Sequence, residues 1–270
     1  MQTIDLRGIQ EEPIQNHTSK GDQPKWQLDD IWYKADHMGY EALSEVVVSR
    51  LLEKTNVKEF VRYDPVQILT GTGLKIGCAS DNFRESDEML IPFERLHRAY
   101  YGQGLAARIA AMDVTEKIAY TVQFVEETTK LKGVGAYLTA ILELDAFFLN
   151  EDRHTNNLAV LRNEKTQTFR LCPLFDHGLS LLSDTNDYPL NADLFKCISR
   201  IRAKPFSEDF DEQVSAAEQL YGQQLQIKCK RNHLSEAIHE LVDYYPAEVL
   251  RRAEDLLFEQ ARKYPYFFLN

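Results

Sequence analysis

The sequence predicts an α+β fold of two lobes, a small antiparallel β lobe that contains one helix and a larger helical lobe. Alternating segments separated by turn residues predominate in residues 1–83, whereas helical periodicity predominates from Phe93 onward. A nearly all-apolar helix then leads into a polar loop, a hairpin and a second acidic loop. We therefore expect one domain, with residues 1–83 as the first lobe and residues 84–270 as the second.

The composition limits the classes of function. With 44% hydrophobic and 27% charged residues, the chain of 270 residues has enough apolar material for a core. Its net charge of −11 argues against a nucleic-acid partner. The four cysteines form no C-x-x-C motif, so we expect reduced thiols. The first residues lack a signal-peptide pattern and no apolar run approaches the roughly 20 residues of a membrane span. We therefore expect a cytoplasmic protein with no membrane partner.

The secondary structure of both lobes follows from periodicity. The strands predicted for the first lobe are Thr3–Leu6, a strand that ends at Trp32–Lys34, Phe60–Tyr63, Val66–Leu69 and Leu74–Ala79, the last two joined by a glycine turn. The helix of this lobe is Tyr40–Lys54. The helices predicted for the second lobe include Thr115–Lys130, Val134–Leu149, Glu208–Tyr221, Leu234–Tyr245 and Ala247–Tyr264, the last one capped near Pro246, with an irregular stretch at 184–207.

The stretch Asp145–Leu182 carries the candidate chemistry. Asp152 and Asn157 stand five residues apart in the loop DRHTNN, and Asp176 follows 24 residues after Asp152. A predicted hairpin would bring the two loops side by side, and its strands are Leu158–Arg162 and Thr168–Leu174. An unpaired carboxylate in the apolar run around Asp176 would be costly, and carboxylate and amide oxygens favour Mg²⁺ over zinc or iron. Protein kinases use the same spacing logic, with one Asp for the acceptor hydroxyl and an Asn and a second Asp for metal.

Two segments of this stretch resemble motifs of a known family. Asn150–Asn157 (NEDRHTNN) and Phe175–Ser180 (FDHGLS) are similar to the N-x-D-R-H-x-x-N loop and the Y/F-D-x-G-x-S-like segment of HipA-like serine/threonine kinases. That group includes the CtkA-type bacterial kinases, which are related to the phosphatidylinositol-kinase fold. The resemblance implies a protein-kinase-like fold and transfer of the ATP γ-phosphoryl group to Ser/Thr hydroxyls of a protein, with ATP and Mg²⁺ as cofactors. It implies Asp152 as the catalytic residue and Asn157 and Asp176 as metal ligands.

A polar loop in the first lobe is a candidate for covering the nucleotide phosphates. Thr18–Gly21 is a turn between predicted strands, and its backbone N–H groups and lysine suit a phosphate. The same region resembles the S-G-x-Q-x-K-like loop of the family. The residues that we expect to bind ATP here are Ser19, Lys20, Gly21, Gln23 and Lys25.

A lysine at a strand end is the second nucleotide-binding candidate. Lys34 precedes a helix that carries Glu41 and Glu45, and one of them would pair with it as in kinases. Resemblance to the family favours Glu45, and Glu41 stays open. The chain is expected to leave the sheet after Gly77 and to meet adenine through its backbone, by order along the chain alone. The residues expected at that hinge are Ala79, Ser80 and Asp81.

Two charged features leave alternatives open. Asp145 lies in an apolar helix and needs a partner, for which we expect Arg153 or His154. A local basic patch in the acidic chain is either a solvated face or a contact for a substrate phosphate or an acidic partner. The patch consists of Arg200, Arg202 and Lys204.

The function that the resemblance implies also has rivals. A kinase fold can bind nucleotide or a partner without turnover, and the same core can phosphorylate a small molecule or a lipid. Within the kinase hypothesis, Ser19 or Thr18 is a candidate for self-phosphorylation, because a phosphate there would repel ATP.

Overall fold

A computed structural model describes residues 2–12 and 23–269 of the chain. These residues form two compact units. The first comprises Met1–Asn82, Asp176–Ile201 and Gln226–Asn270, and the second comprises Phe83–Phe175 and Arg202–Leu225. The first break between the units lies next to the predicted lobe boundary, and two later segments then return to the first unit. The lobe boundary itself stays a prediction, because compact units and the predicted lobes divide the chain by different criteria.

Eight strands form two sheets in the described residues. In chain order they are β1 Thr3–Asp5, β2 Lys25–Leu28, β3 Ile31–Ala35, β4 Asp64–Thr70, β5 Gly73–Asp81, β6 Glu88–Pro92, β7 Ala159–Asn163 and β8 Phe169–Leu171. The sheet of the first unit has the order β1-β4-β5-β3-β2, and that of the second has the order β6-β7-β8. The pairs are antiparallel apart from β1 and β4, which run parallel.

The predicted hairpins β4–β5 and β7–β8 are confirmed. The turn of the first hairpin needs Gly73, whose φ of 124° is unfavourable for any side chain. In the second hairpin β8 ends at Leu171 rather than at the predicted Leu174. Pro173 lacks the N–H group that would continue the ladder.

The described part of the chain contains nine α-helices. They are α1 Glu41–Leu52, α2 Phe93–Tyr101, α3 Leu105–Ile109, α4 Val114–Thr129, α5 Val134–Phe148, α6 Leu194–Arg200, α7 Phe210–Tyr221, α8 Glu236–His239 and α9 Ala247–Lys263. The predictions for α1, α4, α5, α7 and α9 are confirmed to within two residues at each end, and α9 begins after Pro246 as expected. Helix α4 starts with a capping box, in which the side chains of Asp113 and Glu116 accept each other's backbone N–H.

One helix prediction and one prediction of irregular structure in the C-terminal half are wrong. The continuous helix predicted for Leu234–Tyr245 is a 3₁₀ turn followed by the single turn of α8. After His239 the backbone N–H groups of Leu241 and Val242 bond to the carbonyl three residues back, so the α-helical ladder does not continue. In the stretch expected to be irregular, the carboxylate of Asp193 accepts the N–H of Lys196 and starts α6.

Two strand predictions in the first unit are also wrong. Phe60–Tyr63 is not a strand, because the backbone of Tyr63 bonds to side chains of α1: its N–H donates to Ser49 and its carbonyl accepts from Arg50. The chain does not leave the sheet at Gly77, since β5 continues to Asp81.

Helix α1 is the element that positions charge in the first unit. All twelve of its residues are buried, although most helices bury only one face. Its first turn is held by two carboxylates. Asp36 Oδ1 accepts the N–H of Ala42 at 2.7 Å, and the side chain of Glu41 accepts three backbone N–H groups, those of His37, Met38 and Gly39. The sheet core of this unit contains Leu6, Trp26, Tyr33, Ala35, Val66 and Ile68.

Candidate active site

A buried ion pair holds the loop that follows α5 in the second unit. Arg153 donates from Nε to Asp145 Oδ2 at 2.8 Å and from Nη2 to Oδ1 at 3.1 Å. The third nitrogen, Nη1, donates to the backbone carbonyls of Asn157 and Phe175. Burial raises the pKa of Asp145, and the charge and hydrogen bonds of Arg153 oppose that effect. Of the two partners that the sequence left open for Asp145, the structure contains the bidentate Arg153 pair.

The loop between α5 and β7 folds on its own backbone around Asp152. Asn150 Oδ1 accepts the N–H of Asp152 at 3.1 Å, and the carbonyl of Asp152 accepts Asn157 Nδ2 at 2.9 Å. The Asp152 side chain is 12% exposed, with His154 Nε2 3.7 Å from Oδ2 and Lys204 Nζ 3.3 Å from Oδ1. The carboxylate therefore faces a cationic group at one oxygen and an imidazole at the other.

Glu94 fixes the middle of the same loop, and sequence reasoning missed it. Its Oε2 accepts Thr155 Oγ1 and the N–H of Ala106, both at 2.9 Å. A Cβ at Gly104 would lie 1.7 Å from Glu94 Oε1, so the turn before α3 admits only glycine while this carboxylate keeps its position. No local pattern indicates this role, because Glu94 lies 61 residues before Thr155.

In the first unit, a lysine and two carboxylates form one cluster. Lys34 Nζ lies 2.5 Å from Glu45 Oε1 and 3.0 Å from Asp176 Oδ1. Glu45 is fully buried and its Oε2 accepts the N–H of His177 at 2.8 Å. Glu41, the alternative partner, instead caps the start of α1. The structure thus pairs Lys34 with Glu45.

The charges of this cluster compensate one another. Burial lowers the pKa of Lys34, but the neighbouring carboxylates of Asp176 and Glu45 outweigh it and raise that pKa well above its usual value. Burial raises the pKa of Glu45, because it disfavours the charged carboxylate, and the positive charge of Lys34 opposes this rise. Lys34 therefore keeps its proton. Asp176 is the most accessible member, with 39% of its side chain exposed.

Asp176 has a backbone conformation that few residues adopt. Its φ is 64°, in the left-handed region, where Asp is tolerated better than most side chains. The next residues are packed closely: a Cβ at Gly178 would lie 3.4 Å from Gln23 Oε1 and 3.8 Å from Glu45 Oε1. Non-glycine residues in this conformation cluster at functional sites.

The remaining residues expected to bind ATP have different surroundings. Ser19, Lys20 and Gly21 lie outside the described residues. Gln23 lies beside Gly178, and its Nε2 is buried with no hydrogen-bond partner in residues 2–12 and 23–269. Lys25 on β2 is directly opposite Lys34 on β3, so both side chains project from the same face of the sheet.

The three expected hinge residues all belong to the final part of β5. They pair with β3, and Ala79 also lies opposite Asp64, the first residue of β4. Asn82 N–H donates to Asp30 carbonyl at 2.7 Å. Because antiparallel ladders alternate, the backbone groups of Asp81 face away from β3, on the side where β4 is no longer present. The contact of this backbone with adenine stays a prediction.

Comparison with solved structures identifies the fold. The proinflammatory kinase CtkA from Helicobacter pylori superimposes with a TM-score of 0.66 and 15% sequence identity, over 97% of this chain and 94% of that one. The chain shares the fold of this kinase. The predicted α+β, kinase-like fold is therefore confirmed, and so is the suspected resemblance to CtkA-type proteins at the level of the fold.

Other comparisons add less. HipA from Shewanella oneidensis MR-1, solved with HipB and operator DNA, matches with a TM-score of 0.45 and 10% identity, over 93% of this chain and 65% of that one. No protein-family model matches the sequence, and no curated protein matches it. Within residues 2–12 and 23–269, no helix combines the length and apolar character that a membrane crossing requires.

Proposed function

We propose that the protein is a kinase that transfers the γ-phosphoryl group of ATP to Ser/Thr hydroxyls of a protein. The observation that supports this most directly is the cluster of Lys34, Glu45 and Asp176. A buried ion pair is costly to desolvate, and a purely structural pair would not need a second carboxylate such as Asp176 beside it. Kinases use such a lysine–glutamate pair to hold the α- and β-phosphates, and an acid beside it to hold metal. The shared fold with CtkA supports the same conclusion.

In the proposed reaction, the site residues have separate tasks. Lys34, fixed by Glu45, binds the α- and β-phosphates, and Asp152 orients the acceptor hydroxyl and takes its proton. The acceptor oxygen forms a bond to the γ-phosphorus while the bond from that phosphorus to the β–γ bridging oxygen breaks. ADP then leaves. Positioning and charge stabilisation supply most of the rate enhancement in this chemistry.

A divalent metal fits the donors that we assign to it. Asp176 and Asn157 offer a carboxylate and an amide oxygen, which are hard ligands of the kind that Mg²⁺ prefers. The Asp176 side chain is 39% exposed, which suits a ligand that also meets phosphate and water. When bound, the metal held by these residues would supply positive charge that neutralises the phosphates.

A labelling experiment tests the proposal. Purified protein is incubated with γ-labelled ATP, Mg²⁺ and a cell lysate, and the label is followed in protein bands and in extracted lipids and small molecules. We expect label in protein for the wild type and its loss in Lys34→Ala and Asp152→Asn. Lys58→Ala is the matched control, because Lys58 is exposed in the same unit. Label in lipids or small molecules would redirect the substrate class, and ATP binding without any transfer would indicate a binding module.

A further inference from the structure

A lysine from a distant part of the second unit touches the proposed catalytic carboxylate. Lys204 lies 52 residues after Asp152, in the segment between α6 and α7, and its Nζ is 3.3 Å from Asp152 Oδ1. The Lys204 side chain is 44% exposed and that of Asp152 is 12% exposed. The sequence groups Lys204 with Arg200 and Arg202 in a basic patch, but only the structure shows its neighbour.

The backbone on both sides of Lys204 is fixed. Ala203 is buried, and its N–H donates to the carbonyl of Glu208 at 2.9 Å. Phe206 is fully buried; its N–H donates to Gln213 Oε1 at 2.8 Å and its carbonyl accepts Lys117 Nζ at 3.0 Å. Lys204 is thus held at its Cα, while its long side chain keeps freedom at the exposed end.

Arg202, which belongs to the same patch and the same unit, has different surroundings. Arg202 Nε lies 3.9 Å from Glu208 Oε2, and both side chains are more than half exposed. An ion pair of that kind contributes little to stability. Lys204 is the patch residue that meets a largely buried carboxylate. The contact therefore points to the chemistry of Asp152.

We propose that Lys204 is a positioning residue for phosphoryl transfer. Its contact with Oδ1 of Asp152 fixes the orientation of the carboxylate that takes the proton of the acceptor hydroxyl. This inference rests on the proposed kinase function, because it assigns Lys204 a task in that reaction.

Three variants of the full chain test the role of Lys204. With ATP varied at saturating acceptor protein, Lys204→Ala should lower kcat about 10–100-fold, the size of effect expected when a catalytic group is misplaced. The KM for ATP should change less than about twofold, because Lys204 acts on Asp152 and not on the nucleotide. Lys204→Arg should recover most of kcat, since it restores the charge. Arg202→Ala, which removes the same charge two residues away, should behave as wild type.

A double-mutant cycle separates action through Asp152 from any other effect. If Lys204 works through Asp152, then adding Lys204→Ala to Asp152→Asn should cause no further loss beyond about twofold. The inference would be overturned if the losses of the two single variants multiply in the double variant, or if Lys204→Ala has the wild-type kcat. It would also be overturned if Lys204→Ala lowers the thermal midpoint together with activity and Lys204→Arg restores neither. A wild-type protein that binds ATP but transfers no label would instead overturn the proposed function, and the inference with it.

Discussion

Arg153 binds both carboxylate oxygens of Asp145, and both side chains are at most 2% exposed. The remaining guanidinium nitrogen holds the carbonyls of Asn157 and Phe175, which flank the two ends of the β7–β8 hairpin. One buried cation therefore ties the end of α5 to both candidate loops of the sequence motif. Its value lies in fixing their geometry, since buried ion pairs are weak sources of net stability.

Breaking this pair should be costly, and replacing both partners should not. We expect Asp145→Asn to lower the free energy of unfolding by about 3–5 kcal/mol, because it leaves the guanidinium buried without its counter-charge. The double variant Asp145→Leu/Arg153→Met should recover much of that loss in urea titrations while phosphoryl transfer stays absent. Recovery of activity as well would show that the ion pair has no role in holding the loops. Asp113→Asn at the exposed cap of α4 is the control for loss of one acid.

The sequence predicted part of this arrangement, and physical reasons explain which part. A carboxylate in the apolar helix α5 signals a partner, so Arg153 was foreseeable as one of two candidates. A strand lysine before a helix with two acids predicted a pair for Lys34 with Glu41 or Glu45, and only the family resemblance favoured Glu45. Glu94 and Lys204 act on loop residues 61 and 52 positions away along the chain, and no periodicity or turn signal encodes such contacts. Phe60–Tyr63 resembled a strand because its residues are β-formers, but its backbone is satisfied by side chains of α1.

Separate substitutions of the two glutamates of α1, Glu41 and Glu45, distinguish nucleotide binding from folding. Glu45→Gln should weaken ATP binding about tenfold or more, because Lys34 loses the charge-assisted bond that orients it. Glu41→Gln should leave ATP affinity near wild type but lower stability by about 1 kcal/mol, since Glu41 caps three backbone N–H groups. Calorimetric ATP titrations and thermal melts of both variants measure the two effects. The opposite ranking would mean that Glu41 serves the site.

Stability should fall as the pH rises toward 8, because of Glu143 in α5. Burial raises the pKa of Glu143 from 4.5 to about 8; the N–H groups of Gln224 and Leu225 oppose this rise and the nearby Glu218 adds to it. Between pH 4.5 and 8 the folded state keeps a proton that the unfolded state has released. The free energy of unfolding therefore decreases across this range and is unaffected by this group below it.

Glu143→Gln removes that proton exchange while keeping an oxygen that accepts the two N–H groups. Urea titrations at several pH values from 5 to about 8.5 should show a flatter dependence in Glu143→Gln than in wild type. Glu164→Gln, at the exposed turn after β7, should retain the wild-type slope. Equal slopes in all three proteins would mean that Glu143 is ionised throughout the range.

The two central acids should differ in what they do to ATP binding. Asp176 is assigned to a metal that would neutralise the phosphates of ATP before the reaction as well as during it. Asp176→Asn should therefore weaken Mg²⁺-dependent ATP binding and stop transfer. Asp152 is assigned to the acceptor hydroxyl, which is absent when only ATP is bound. Asp152→Asn should therefore keep ATP affinity near wild type while transfer falls about 10²–10⁴-fold, the usual effect of losing a positioned general base.

Calorimetric titration of ATP with and without Mg²⁺, beside the labelling assay, measures both quantities for each variant. Asp176→Asn also removes the negative charge beside Lys34. The melting temperature of this variant and its ATP affinity without Mg²⁺ therefore identify any loss that does not depend on metal. If Asp152→Asn loses affinity as severely as Asp176→Asn, both acids are metal ligands and the division of roles is wrong. If both variants transfer phosphate at the wild-type rate, the loop DRHTNN and the segment FDHGLS are not the active site.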